Sequence, residues 1–389
     1  MAVDAAFLSD PAVASLFAAL PGVRAVGGCV RDALARQPIA DIDLATPMRP
    51  DEVANALSAA GIRAVPTGLD HGTLTALIGG HGFEVTTLRR DVLTDGRHAE
   101  VAWTDDWQVD AARRDFTINA MSMTPDGTLF DYFGGQADLR AGRVRFVGDA
   151  AARVVEDHLR VLRFFRFQAR YGTGAPDPDA LAAVAGGAAS IARLSVERVW
   201  SELKRILAAP DPAVSVALMD RLGVLAVAMP EGADPAALAR LCALGAPPDP
   251  ILRLASLLTG DPAALAARLR LSHAEAGRLN AVRGRPLVPD ASDAERRRAL
   301  ALDPAETLID RTWLSGQAGP SWDQLRARLA AMPRPVFPLE GRDVLAIGLA
   351  PGPRVGALLR AVAAWWMDGG CVADAAACRV ELARLARDW

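Results

Sequence analysis

Lysine is almost missing from this 389-residue chain. Lys204 is the only one, so arginine supplies nearly all of the positive charge. The plain explanation, and the weightier one, is a high-GC coding bias, which also accounts for the abundant alanine. Even so, a guanidinium is suited to bidentate contacts with phosphates and bases. Cysteine is scarce, and Cys29, Cys242, Cys371 and Cys378 contain no Cys-x-x-Cys pair. Neither a zinc site nor a disulfide framework is indicated, and a reducing cytoplasm is the expected compartment. No apolar run is long enough to cross a bilayer, so no membrane role is expected. Met1–Asp4 lacks the basic and apolar regions of a signal peptide, and none is expected. The net charge of -3 excludes a polybasic nucleic-acid coat but leaves room for a local basic surface. What remains is globular: 51% hydrophobic and 23% charged residues exclude a disordered or fibrous chain. The length suggests two or three domains.

The first third alternates strand and helix signals. Val23 to Gly27 predicts a short strand ending in Gly27-Gly28, and Val30 to Arg36 a helical turn or two. Asp41 to Thr46 alternates as a half-buried strand does. Pro50 to Ala60 predicts a helix stopped by Gly61. Thr73 to Ile78 and Phe83 to Arg89 predict a hairpin around Gly79-Gly80-His81-Gly82. Asp91 to Asp110 is polar, aperiodic and long for a loop. Beyond about residue 150 strand signals fade, and Ala, Leu and Arg recur at helical spacing. Asp-Pro pairs at Asp211, Asp234, Asp249, Asp261 and Asp303 predict helix starts, because aspartate caps free N–H groups and proline has none to leave unpaired. Glu306 is placed to complete a capping box with Asp303. The fold class is therefore α+β, a mixed sheet with helices followed by an all-helical region.

Three clusters carry chemistry. Gly27-Gly28 opens a helix, where backbone N–H groups can hold phosphates. Asp41 and Asp43, two apart on a strand, face the same way. Paired carboxylates with phosphate oxygens are what Mg²⁺ prefers; a solvated edge strand with two charges is the plain alternative. Glu84 is placed to complete a three-carboxylate site, or is an exposed strand glutamate. Arg113 and Arg114 suit phosphate or ribose, with Asp115 capping the helix that follows. Arg160, Arg163 and Arg166 lie three apart on one helical face, and Asp157 can pair with Arg160. A rigid carboxylate–guanidinium pair can read a base edge, although an ion-paired solvated helix has the same pattern.

In order, Gly27-Gly28-x-Val30-Arg31-Asp32, Asp41-x-Asp43, Pro66-Thr67-Gly68 with His71-Gly72-Thr73, Glu84-Val85-Thr86-Thr87, Arg114 to Ala120, Phe133-Gly134-Gly135 and Glu156-Asp157-x-x-Arg160-x-x-Arg163 resemble the class II tRNA nucleotidyltransferases. These are the CCA-adding enzymes, with bacterial poly(A) polymerase relatives. The resemblance is strong over residues 20 to 172 and weaker at Gly341 to Leu345 and Pro351 to Pro353. It implies a polymerase-β-like nucleotidyltransferase head at 1–145, a helical neck at 146–215 binding the base and RNA, and a helical body and tail at 216–389 binding tRNA. It further implies that Asp41 and Asp43 bind catalytic Mg²⁺ with Glu84 beside them. Gly28, Arg31 and Arg114 would contact the nucleotide. Asp157, Arg160, Arg163 and Arg166 would select its base. Asp91 to Asp110 would be the flexible loop of the C-to-A switch. The implied partners are tRNA, CTP and ATP, with no protein partner inferable. His158 departs from the proline many members carry and leaves the start of its helix less constrained. Only His273 follows it, so the HD phosphohydrolase activity of some relatives is expected to be absent. A poly(A) polymerase, a CC- or A-adding specialist and a catalytically silent RNA-binding protein are the competing readings.

Overall fold

The computed structural model describes residues 6–94 and 99–387. The chain divides into two compact units, one up to Pro230 and one from Glu231 onward.

The first unit is built on a seven-stranded mixed sheet. Its strands are β1 (Arg24–Val26), β2 (Asp43–Thr46), β3 (Arg63–Gly68), β4 (Thr73–Ile78), β5 (His81–Thr87), and two later ones that complete an edge, Met121–Met123 and Leu129–Asp131. The order is β3-β4-β5-β2-β1, then Met121–Met123, then Leu129–Asp131. Only β2 and β5 run parallel. The β4–β5 hairpin turns on Gly79 and Gly80, both at positive φ, as a two-residue turn matched to strand twist requires. Helices α1 (Pro11–Ala19), α2 (Gly28–Leu34) and α3 (Pro50–Ala59) supply Leu16, Val30, Val53 and Leu57 to a core shared with Leu44, Leu74 and Val85.

Three differences from the sequence expectations concern this unit. β2 begins at Asp43, not Asp41. Its partner β1 ends at Val26, which pairs with Asp43, and Gly27 then turns away into α2, so Asp41 has no strand beside it. The stretch from Asp91 to Asp110 is largely ordered secondary structure. Arg89–Thr94 and Ala99–Trp103 form a separate antiparallel ribbon, and α4 (Trp107–Ala112) follows; residues 95–98 lie outside the described residues. Backbone pairing along the ribbon satisfies groups that side-chain periodicity does not announce. After Asp115 there is only a 3₁₀ turn, Thr117–Asn119, and not a longer helix.

Further helices extend this unit: α5 (Gly135–Arg140), α6 (Ala150–Glu156), α7 (Leu159–Tyr171), α8 (Pro178–Gly187) and α9 (Val196–Leu207). Phe164, Phe165 and Phe167 are buried. The Phe116 ring lies 4.7 Å from that of Phe146, tilted by 34°, and meets Phe167 edge-on at 5.0 Å. Each buried phenylalanine contributes roughly 1.5–3 kcal/mol, so α7 is held firmly against the strand-bearing part of the unit.

The second unit is helical, with ten α-helices among the described residues, from Pro235–Ala243 to Ala375–Leu385. Asp234, Asp249 and Asp261 each cap a helix by accepting two backbone N–H bonds. In the first unit Asp211 accepts one, from Ala213. The expected box at Asp303 does not form. Asp303 takes Arg311 Nη1 at 2.8 Å, and Glu306 takes Arg278 Nη1 at 2.8 Å. Both carboxylates find a guanidinium, which outcompetes a neutral N–H. No helix among the described residues is long and apolar enough to cross a membrane.

Candidate active site

A cleft of about 1090 Å³ opens in the first unit. One wall is the Gly27-Gly28 turn with Asp41 and Asp43; the other is α7 with Asp157 before it and part of α9. Nine arginines and four aspartates line it, so it strongly favours an anion. The cleft brings together Gly28, Arg31, Asp41, Asp43, Arg114, Asp157, Arg160, Arg163 and Arg166. Glu84 does not line it. Glu84 sits directly beside Asp43 in the parallel pairing of β2 with β5, on an exposed position between buried Phe83 and Val85.

Gly27 adopts φ 72°, and a Cβ there would come within 2.9 Å of Arg114 Nη1. Only glycine allows β1 to turn into α2 while Arg114 lies across the turn. Burial pushes the Asp43 carboxyl up, Glu84 and Asp41 push it further, and Arg114 opposes them. Burial is the larger cause, and the two neighbouring carboxylates add to it; a cation between Asp41 and Asp43 would offset both. Among the described residues no three His, Cys, Asp or Glu side chains converge as a protein-only metal site. The donor set is two carboxylates, all oxygen, which fits Mg²⁺ when phosphate oxygens supply further ligands. Cys29 behind the turn is no nucleophile, because burial pushes its thiol up to about 11.

Arg31 is fixed by its neighbours. Its Nε and Nη2 donate to Asp32 at 3.0 and 2.9 Å, and its Nη1 donates to Asn119 Oδ1. Tyr171 donates to the same Asp32, and the Arg31 guanidinium lies 4.6 Å from the Tyr171 ring. Burial pushes the Tyr171 hydroxyl up to about 12, and the Asp32 hydrogen bond adds to that. Tyr171 therefore keeps its proton and donates it to Asp32.

The base-side cluster differs from the expected pairing. Asp157 is extended, at φ -149°, and α7 starts only at Leu159, with His158 as its cap. Asp157 is thus outside the helix, and the i, i+3 pairing with Arg160 does not form. Arg160 Nη1 binds Glu156 and the Arg153 carbonyl, and Asp157 takes Arg198 Nη2 on both oxygens, at 3.0 and 2.8 Å. Arg163 Nε donates to Asp115 at 2.7 Å. Burial opposes charge on Asp115, yet Arg163, Asn119 and the Phe116 N–H together hold its carboxyl below the usual range. Arg166 Nε lies 3.2 Å from the buried Glu202, and burial lowers the Arg166 guanidinium to about 10. Asn119, Tyr171, Arg198 and Glu202 were not anticipated as site residues. The one available signal was the i, i+4 spacing of Arg198 and Glu202 on an amphipathic helix.

A mixed sheet with a diglycine turn and adjacent carboxylates, opening on an arginine-walled cleft, defines a nucleotidyltransferase with a polymerase-β-like head. Residues 23–145 match the family model described as "Poly A polymerase head domain". Residues 175–234 match "Probable RNA and SrmB- binding site of polymerase A". The chain is 38% identical over 366 residues to the mouse (Mus musculus) "CCA tRNA nucleotidyltransferase 1, mitochondrial", covering 90% of this chain and 83% of that one. It is 31% identical over 361 residues to the Lacticaseibacillus paracasei "CCA-adding enzyme", covering 87% and 86%. The solved Bacillus stearothermophilus CCA-adding enzyme in complex with CTP superposes with a TM-score of 0.75 at 25% identity, covering 97% of this chain and 98% of that one. The chain belongs to the CCA tRNA nucleotidyltransferase family.

Proposed function

We propose that the protein adds CCA to the 3′ end of tRNA, using CTP and ATP without a nucleic-acid template and releasing pyrophosphate. One observation carries this reading: two carboxylates and a diglycine turn face, across one cleft, the carboxylate and guanidinium groups of Asp157 and α7. The first wall suits a triphosphate and the second suits a base. The names of the relatives and the bound CTP of the B. stearothermophilus enzyme support the same reading. The match at residues 175–234 supports RNA binding.

Asp41 and Asp43 would hold Mg²⁺, with Glu84 enlarging the negative field beside them. Bound Mg²⁺ supplies a lowered pKa for the attacking hydroxyl and neutralises charge on the leaving pyrophosphate. Gly28 lets the triphosphate approach the backbone, and Arg31 and Arg114 hold it. A bond forms from the tRNA 3′-oxygen to the α-phosphorus, and the bond to the bridging β-phosphate oxygen breaks. Asp157 and Arg160 read the base. Arg163 and Arg166, pinned by Asp115 and Glu202, shape the wall it rests on. Rigid placement contributes much of the rate. In this reading 1–145 is the head, 146–215 the neck, and 216–389 the tRNA-binding body and tail. A cytoplasmic location is part of the proposal and rests on four free cysteines.

Transcripts of tRNA ending before CCA, after C and after CC test the reading with CTP, ATP or both. Each should be extended to the terminal A and no further. A long run of A would identify a poly(A) polymerase instead, and a stop after CC with both nucleotides present would identify a CC-adding specialist.

A further inference from the structure

The second unit contains a pocket of about 380 Å³ that shares no residue with the nucleotidyltransferase cleft. That volume suits one small molecule. Part of the lining is apolar, with Leu241, Leu244 and Trp313. Arg326 lies over the Trp313 ring, 3.4 Å from its centre, and holds the ring in place. Arg240, Arg283 and Arg311 line the same pocket, and no carboxylate does. Asp234 and Asp303 hold Arg240 and Arg311 from outside the lining, at 3.4 and 2.8 Å. Arg311 also donates from Nε to the Ala281 carbonyl at 2.9 Å, which leaves its Nη2 without a hydrogen bond among the described residues. Gly284 makes room for that guanidinium, because a Cβ there would come within 2.6 Å of its carbon.

Two features define what such a pocket takes. Three guanidiniums with no acid among them call for an anion. Positive charge gathered in one small space suits a terminal phosphate, with more than one charge, better than the single charge of a phosphodiester inside an RNA strand. The helices Pro235–Ala243, His273–Ala281 and Ala305–Leu314 all end at the pocket, where Leu244, Val282 and Leu314 line it. A helix end presents carbonyl acceptors. A fatty carboxylate has no donor to offer them, whereas ribose hydroxyls and the amino group of a base are donors.

The geometry points to a second nucleotide site, in this unit, that takes a free nucleoside phosphate. The base and ribose lie against Leu241, Leu244, Trp313 and the helix ends, and the terminal phosphate meets Arg240, Arg283 and Arg311. No carboxylate lines the pocket, so it has no group to hold a catalytic metal and serves for binding alone. The site does not depend on the CCA-adding reading.

Photolabelling of the full chain with 8-azido-ATP, followed by peptide mapping, reads this pocket apart from the cleft. Saturable label is expected on peptides from residues 237–256 or 282–316. Arg240→Glu and Arg283→Glu, both at exposed positions, should each raise the half-saturating concentration there by about tenfold or more, the scale of one lost charge-assisted hydrogen bond. Ala237→Trp keeps every arginine and fills the space, and should abolish the same label. Label on peptides of the first unit should keep its half-saturation in all three variants. An excess of a tRNA transcript ending in CCA should leave the second-unit label in place. Label confined to the first unit, or second-unit label that all three variants leave unchanged, would overturn the inference. Loss of the second-unit label to the tRNA would also overturn it, by making the pocket an RNA contact.

Discussion

Replacing Asp43 by asparagine is expected to lower nucleotide addition by at least about 10³-fold, because loss of a metal-binding carboxylate removes several kcal/mol of transition-state stabilisation and each 1.36 kcal/mol is a factor of ten. The fold should not suffer. Burial and the charges of Glu84 and Asp41 raise the Asp43 carboxyl. A carboxyl with a raised folded pKa binds its proton more tightly in the native state, so its ionisation costs stability as pH rises through the unfolded and then the folded value. At neutral pH the neutral asparagine should therefore raise the melting temperature slightly while activity collapses. Thermal unfolding at pH 7 beside single-turnover CTP incorporation checks both. Activity within tenfold of wild type would sink the assignment. A lowered melting temperature would show that the carboxylate is structural.

The second large effect lies at Asp115. Asp115→Asn keeps an acceptor for the Phe116 N–H but leaves the Arg163 guanidinium without its partner. Breaking a buried ion pair by removing one member costs about 3–5 kcal/mol. The Arg163 side chain is 31% exposed, so water relieves part of that, and the expected loss is about 3 kcal/mol. The pH dependence follows from the lowered Asp115 carboxyl. Its stabilising contribution is present above the unfolded carboxylate pKa and disappears as pH falls through the folded value. Urea unfolding at pH 7 and in acid should show a difference between wild type and variant that shrinks on acidification. A gap independent of pH would remove the ion pair from the account.

Much of the first unit was legible in local patterns. The glycine turn and the β4–β5 hairpin there, and the Asp234, Asp249 and Asp261 caps of the second unit, follow from backbone rules that act within a few residues. The candidate site residues were found largely through motif order, and all but Glu84 line one cleft. What escaped was set by partners distant in sequence. Asp41 falls outside β2 because β1, 15 or more residues earlier, ends at Val26. Asp157 pairs with Arg198, 41 residues away, and not with Arg160, three away, because the chain is extended at Asp157. The ribbon after Arg89 is held by pairing between its two arms, which no alternation of apolar residues announces. Local periodicity reports which face a side chain takes, and tertiary neighbours decide which partner it keeps.

The most direct measurement is a crystal structure with Mg²⁺ and a non-hydrolysable CTP analogue. The account predicts an ion about 2.0–2.1 Å from oxygens of both Asp41 and Asp43 and from the phosphates, with the cytosine amino group on Asp157. Carboxylates turned from the triphosphate, with no ion between them, would contradict it.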